Sequence, residues 1–171
     1  NITIQAVDGI ILTDDVFNNG NITIDADTDR NGVGNFEIVA GKFVKSFDNN
    51  ISITANDFII SGFLDAGTGT LTLLSSVTGS TIGLGNATGD IVISGAELQN
   101  ITAATLNIGS PLLAGAPINS GINVDGVTAA DIASIGAVSL NSDGNIDFVG
   151  SDSTFATLDL FAEGNITTTG V

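Results

Sequence analysis

Gly20-Asn21-Ile22-Thr23-Ile24 states a phrase to which the chain returns, and Gly164-Asn165-Ile166-Thr167-Thr168 opens in the same way. Between them stand Asn50-Ile51-Ser52-Ile53, Thr70-Leu71-Thr72-Leu73, Asp90-Ile91-Val92-Ile93 and Thr105-Leu106-Asn107-Ile108. Each is a short run led by a polar residue, in which apolar side chains alternate with Thr, Ser, Asp or Asn. That is the period of a strand with one buried face. A phrase that recurs every couple of dozen residues is the mark of a stacked repeat. The expected architecture is therefore all-β, a solenoid of about 20 residues per coil. At a strand spacing of about 4.8 Å, roughly eight coils make a body about 40 Å long.

Strand phrases begin near Ile2, Ile22, Ile51, Leu71, Ile91, Leu106, Ile122, Val138, Ile146, Leu158 and Ile166. Shorter ones at Ile10-Ile-Leu12, Phe36-Glu-Ile-Val39, Phe58-Ile-Ile60 and Ile82-Gly-Leu84 fall between them. β-Branched side chains suit the inside of a narrow β stack, and Gly and Asn at the boundaries suit its corners. Two internal alignments stand out. Ala66-Gly-Thr-Gly-Thr-Leu-Thr-Leu73 lies over Asn86-Ala-Thr-Gly-Asp-Ile-Val-Ile93, one coil apart. Glu97, Leu98, Ile101, Leu106 and Asn107 lie over Asp131, Ile132, Ile135, Leu140 and Asn141 at a longer common shift, as a duplication would leave them. Residues 96–104 and 128–135 break the alternation with apolar residues three apart, Thr128 standing as an N-cap and Gly136 as a stop. Each reads equally as a helical turn or as an irregular corner. Residues 29–35 and 111–121 read as protruding loops. No helical crossovers separate the strands, which excludes a doubly wound α/β sheet.

The length of 171 residues suits one domain, a single solenoid segment over residues 1–171. Starting at Asn1 with no Met and no leader pattern, it reads as excised from, or continuous with, a longer repetitive chain. Nineteen acids face three bases, Arg30, Lys42 and Lys45, for a net charge of −16. A nucleic-acid partner is excluded, since phosphate recognition needs a basic footprint. No apolar run is long enough for a membrane span. The acids are spread along the chain, as on a solvated surface that keeps an apolar stack soluble. The lack of Cys means no disulfide staples, which a long solenoid core does not need.

A family resemblance rests on Gly20-Asn-Ile-Thr-Ile-Asp-Ala-Asp-Thr-Asp29 with Asn31-Gly32, then Asn49-Asn-Ile-Ser-Ile-Thr-Ala-Asn-Asp57 and Leu64-Asp-Ala-Gly-Thr-Gly-Thr-Leu71. Thr81-Ile-Gly-Leu-Gly85 and Ala96-Glu-Leu-Gln-Asn-Ile-Thr-Ala-Ala-Thr-Leu-Asn-Ile-Gly-Ser110 complete it. This stretch resembles the repeat region of filamentous-haemagglutinin-like large exoproteins of bacteria, the two-partner-secretion adhesins. The resemblance implies a right-handed parallel β-helix, secreted and extracellular, projecting from the cell surface as a stalk or fibre. It carries over no binding residues, and the family's amino-terminal secretion domain is not evident.

Asp25, Asp27, Asp29 and Asn31, followed by Gly32, form the strongest local motif. Alternate acids before Asn-Gly resemble the opening of a Ca²⁺ loop built from oxygen ligands. Counted from Asp27, the twelfth position is Ile38 and Glu37 falls one place early, so the loop is incomplete. The plain reading of the same residues is an exposed turn that Arg30 partly neutralises. Six Asn-x-Ser/Thr sites begin at Asn1, Asn21, Asn50, Asn86, Asn100 and Asn165. They mark glycan acceptors in a suitable host, or corner asparagines that form ladders from coil to coil.

Parallel β-helices include enzymes that degrade pectin, which makes a polysaccharide-binding or polysaccharide-degrading protein the alternative function. Asp14-Asp15 is the only adjacent acid pair available for glycoside hydrolysis. With no His, Cys, Trp or Tyr there is no nucleophilic triad of the usual kinds and no Trp or Tyr to stack a sugar. The Gly-His-Gly and Arg-Ile-Lys of polygalacturonases are missing, and a lyase base is limited to Arg30, Lys42 or Lys45. The Thr-x-Thr pairs are too irregular for an ice-binding face. The sequence thus favours a non-enzymatic stalk or filament unit. Its expected partners are its own kind end to end, or a continuation of the same chain, and a cell-surface or glycan receptor.

Overall fold

The computed structural model describes residues 1–110 and 119–169. Three short strands make each of the first coils. They are β1 (Ile2–Gln5), β2 (Ile10–Leu12) and β3 (Val16–Phe17); β4 (Ile22–Asp25), β5 (Phe36–Ile38) and β6 (Phe43–Lys45); and β7 (Ile51–Ala55), β8 (Phe58–Ile60) and β9 (Phe63–Asp65). β1, β4 and β7 stack in parallel on one face, β2, β5 and β8 on a second, and β3, β6 and β9 on a third. Two faces thus supply the long crossover that parallel pairing on the remaining face requires. The molecule is a parallel β-helix.

The chain continues through β10 (Thr70–Ser75), β11 (Thr81–Gly85), β12 (Ile91–Ile93), α1 (Gly95–Leu98), β13 (Ile101–Ile108) and β14 (Gly121–Asp125). It ends in β15 (Ile135–Ser142), β16 (Asn145–Val149), β17 (Leu158–Ala162) and β18 (Ile166–Thr169). The first face carries one inward file through Ile2, Ile22, Ile51, Leu71, Leu106, Val138 and Leu158, in steps of 20, 29, 20, 35, 32 and 20 residues. The 20-residue coil is therefore the ground pattern, and the longer steps carry insertions. A second file, Ile4, Ile24, Ile53, Leu73, Ile108, Leu140 and Leu160, lies two residues on. Burying one such Ile or Leu contributes about 1.5–3 kcal/mol, so the stack is held mainly by its own axis of aliphatic side chains.

The strand phrases legible in the sequence all coincide with strands, the one read over 36–39 ending at Ile38. The third face does not announce itself, because β3, β6 and β9 each place a single residue inward: Val16, Val44 and Leu64, followed in register by Ile101 of β13. Phenylalanine is divided between inside and outside. Phe36 and Phe58 are buried in the core, whereas Phe17, Phe43, Phe47, Phe63 and Phe161 are exposed.

The largest irregularity is β12. It pairs in parallel with β11, Ile82 beside Ile91, although only nine residues separate them. The intervening chain crosses tightly over Gly83, where an added Cβ would stand 2.4 Å from the carbonyl oxygen of Ala87. Only glycine admits that crossing. The alignment of 66–73 with 86–93 therefore does not mark adjacent coils. After α1 the chain enters β13, which straddles two faces: Ile101 and Thr102 pair with β9, and Thr105 to Ile108 with β10.

The duplicated segments are corners. Ser94 caps α1 in a reciprocal box with Glu97, and Thr128 and Asp131 repeat that exchange, side chain to backbone in both directions. The first corner is a helical turn and the second a run of turns, and Gly136 lies inside β15. Along the strands the step is two residues shorter than the alignment, with Leu106 beside Val138. The inside–outside sense survives because two is the strand period. Residues 29–35 form a loop as read, while the loop read at 111–121 lies mostly outside the described residues.

Candidate functional site

β4 delivers Asp25 to the start of the loop over residues 26–35, and the loop folds back on its own acids. The Arg30 guanidinium donates to both Asp25 oxygens, at 2.6 and 2.9 Å, and to the carbonyl of Asp27. Arg30 adopts φ 59° to do so, a region costly for a residue with a Cβ. Asp27 is fully buried. Its Oδ1 accepts from the Asn31 N–H at 3.1 Å, and its Oδ2 from the Gly32 N–H at 3.1 Å and the Ser76 hydroxyl at 2.6 Å. Desolvation works to raise its pKa, but the donors, Ser76 and Gly32 foremost, outweigh it and hold the carboxyl below its ordinary range. Asp29 accepts from the main-chain and side-chain nitrogens of Asn31, whose Oδ1 accepts from the Val33 N–H.

Asp25, Asp27, Asp29 and Asn31 thus share one loop, as the sequence reading requires of Ca²⁺ ligands. Their oxygens, however, are turned onto N–H, O–H and guanidinium donors. Among the described residues no group of three or more His, Cys, Asp or Glu is placed to hold a metal ion. What the arrangement does chemically is clamp. Asp27 ties the loop after β4 to Ser76, which follows β10 two coils later.

Other acids act likewise. Asp14 accepts from the Asp15 N–H and pairs with Lys42 at 3.1 Å, and Asp15 accepts from the Phe43 N–H. The Asp15 N–H first and Lys42 second lower the pKa of Asp14, and Asp14 in turn raises that of Lys42. Both are held in their charged forms, which suits a corner clasp. Asp131 is lowered by donation from Gln99 and then Thr128, joining the second corner to the first.

Asp57 is the residue the sequence did not single out. Desolvation raises its pKa, and nearby Glu97 adds to the effect. One of its buried oxygens, Oδ1, has no hydrogen-bond partner. No local motif signals this pair, because the backfilled β12 and α1 bring together residues 40 positions apart. Glu97 is committed elsewhere: Oε2 accepts from the N–H and hydroxyl of Ser94, and Oε1 from the Ile60 N–H.

The corner asparagines form a ladder from side chain to main chain. Asn1 Oδ1 accepts from the Asn21 N–H, Asn21 from the Asn50 N–H, and Asn50 from the Thr70 N–H, at 3.1, 3.2 and 3.0 Å. Asn145 accepts from the Asn165 N–H at 2.9 Å in the same manner. Each satisfies a backbone donor at the start of a strand or just before it. With the geometry in view, comparison with known proteins adds no name: the chain matches no family model, no curated protein and no solved structure at a significant level.

Proposed function

We propose that this chain is a non-enzymatic structural segment, a rigid β-solenoid that serves as a stalk or filament unit on a bacterial cell surface. The observation that carries the reading is the continuous pair of inward files along the first face, flanked by acids spent on clasping neighbouring coils. A stack of this kind resists bending because every rung is bonded to the next. Among the described residues its strands at either end, β1 to β3 and β17 with β18, each pair on one side only. Such edges offer unpaired backbone groups to which a further strand can add. The resemblance to filamentous-haemagglutinin-like exoproteins supplies the extracellular setting. Among the described residues no helix is long and apolar enough to cross a membrane.

Electron microscopy of the natively isolated protein tests this. Long fibres with an axial repeat of about 34 Å, seven rungs at strand spacing, identify a filament subunit. A thin rod carrying a separate head identifies a stalk. Compact particles with no axial continuity would overturn both forms.

A further inference from the structure

On the outer side of the second face, Ile11, Glu37 and Ile59 are register partners in β2, β5 and β8 and form a single file. The loop that follows β4 raises Val33 beside them, and Asp8, Gly9 and Asn35 complete a groove of about 260 Å³. Ile11 is 63% exposed, Val33 60% and Ile59 38%. Three large aliphatic side chains gathered in a surface depression are what a docking site looks like before it is covered.

Charge decides what covers it. The three bases of the chain are each paired internally, Arg30 with Asp25, Lys42 with Asp14 and Lys45 with Asp65. Among the described residues Asp8 and Glu37 have no ion-pair partner. The groove therefore presents aliphatic floor and unpaired carboxylates together. A second copy of this chain is a poor occupant, since it brings a net charge of −16 and no base that is not already engaged. We propose that the groove docks a short basic, apolar segment of a partner protein. Its aliphatic side chains seat on Ile11, Val33 and Ile59, and its Lys or Arg groups face Asp8 and Glu37. The volume suits a few side chains of a peptide, smaller than a usual small-molecule pocket. The pairing of apolar contact with opposite charge sets both register and encounter rate. The proposal needs only the folded solenoid and is independent of the stalk or filament reading.

Fluorescence anisotropy with a labelled synthetic peptide of alternating Lys and Val is the test, with a Glu–Val peptide as reference. The Lys–Val peptide is expected to bind saturably, and the Glu–Val peptide not at all. Glu37→Gln is expected to weaken binding about 5-fold and to flatten its salt dependence. Ile11→Thr with Ile59→Thr, which keeps β-branching in both strands, is expected to weaken it about 10-fold or more. Asp159→Asn removes the same charge from the exposed surface of the first face and is expected to leave affinity within about 2-fold. Circular dichroism confirms that each variant retains the wild-type β signal. Equal binding of the Glu–Val peptide, equal weakening by Asp159→Asn and Glu37→Gln, or an unchanged Ile11/Ile59 double variant would each overturn the proposal. So would dimerisation of the wild type that the double variant abolishes, because the face would then belong to a second copy.

Discussion

Asp27→Asn puts the clamp to its sharpest test, because the substitution keeps shape and removes charge. The carboxylate accepts three hydrogen bonds while fully buried. If the amide nitrogen of the new side chain takes the place of Oδ2, the Ser76 hydroxyl can turn to accept, but the Gly32 N–H is left facing another N–H. If it takes the place of Oδ1, the Asn31 N–H loses this acceptor and keeps only Asp29 Oδ1, at 3.3 Å. Either way one loop N–H loses its bond to the carboxylate, costing about 1.5–3 kcal/mol, and the remaining bonds lose their charge assistance. The total is about 3 kcal/mol. With a urea dependence of about 2 kcal/mol per molar, the unfolding midpoint at neutral pH should fall by about 1.5 M. A double-mutant cycle with Ser76→Ala should return a coupling of about 1.5–3 kcal/mol. The pH dependence carries a definite sign. The folded-state pKa of Asp27 lies below the ordinary 3.8, so its contribution is present above that value and is lost as pH falls through the folded pKa. The gap between wild type and Asp27→Asn should therefore close in acid. An unchanged midpoint at neutral pH would refute the clamp. A wild-type midpoint that rises with added Ca²⁺ and falls with a chelator, with Asp27→Asn blind to both, would refute it in favour of a metal site.

Asp57 should behave in the opposite sense, since its pKa is raised above 3.8: its contribution is present below that value and lost as pH rises through the folded pKa. Asp57→Asn should thus raise the urea midpoint at neutral pH and leave it unchanged near pH 3, and a lower midpoint at neutral pH would count against desolvation as the cause. Leu106→Ala, at a fully buried site in the middle of the first face, should cost about 2–5 kcal/mol. Asp14→Asn, at the exposed corner pair with Lys42, should change the midpoint little. Equal losses from these two variants, followed by circular dichroism in urea, would undo the assignment of inside and outside.

The repeat and its strand period were enough to specify a solenoid, because alternation along Ile22-Thr-Ile24 or Leu71-Thr-Leu73 has one reading: one row faces the core and the other faces water. Asparagine at the phrase boundaries likewise foretold coil-to-coil hydrogen bonding, since a short polar side chain beside a strand start has a backbone donor within reach. The rest was not local. The third face rests on one inward residue per rung, Val44 or Leu64, and a single residue has no period to read. β12 resembles a coil of its own in sequence, yet lies beside β11, because the absence of a side chain at Gly83 lets the chain cross back. The Asp25 to Asn31 acids looked free for a cation in one dimension. Arg30 was legible as a local neutraliser, but only in three dimensions do the Gly32 N–H and Ser76, the latter drawn from a distant coil, take up the oxygens of Asp27. Periodicity is written in neighbouring residues and survives in the sequence. Which carboxylate is satisfied, and by what, depends on which coils the insertions bring together, and only the tertiary structure decides that.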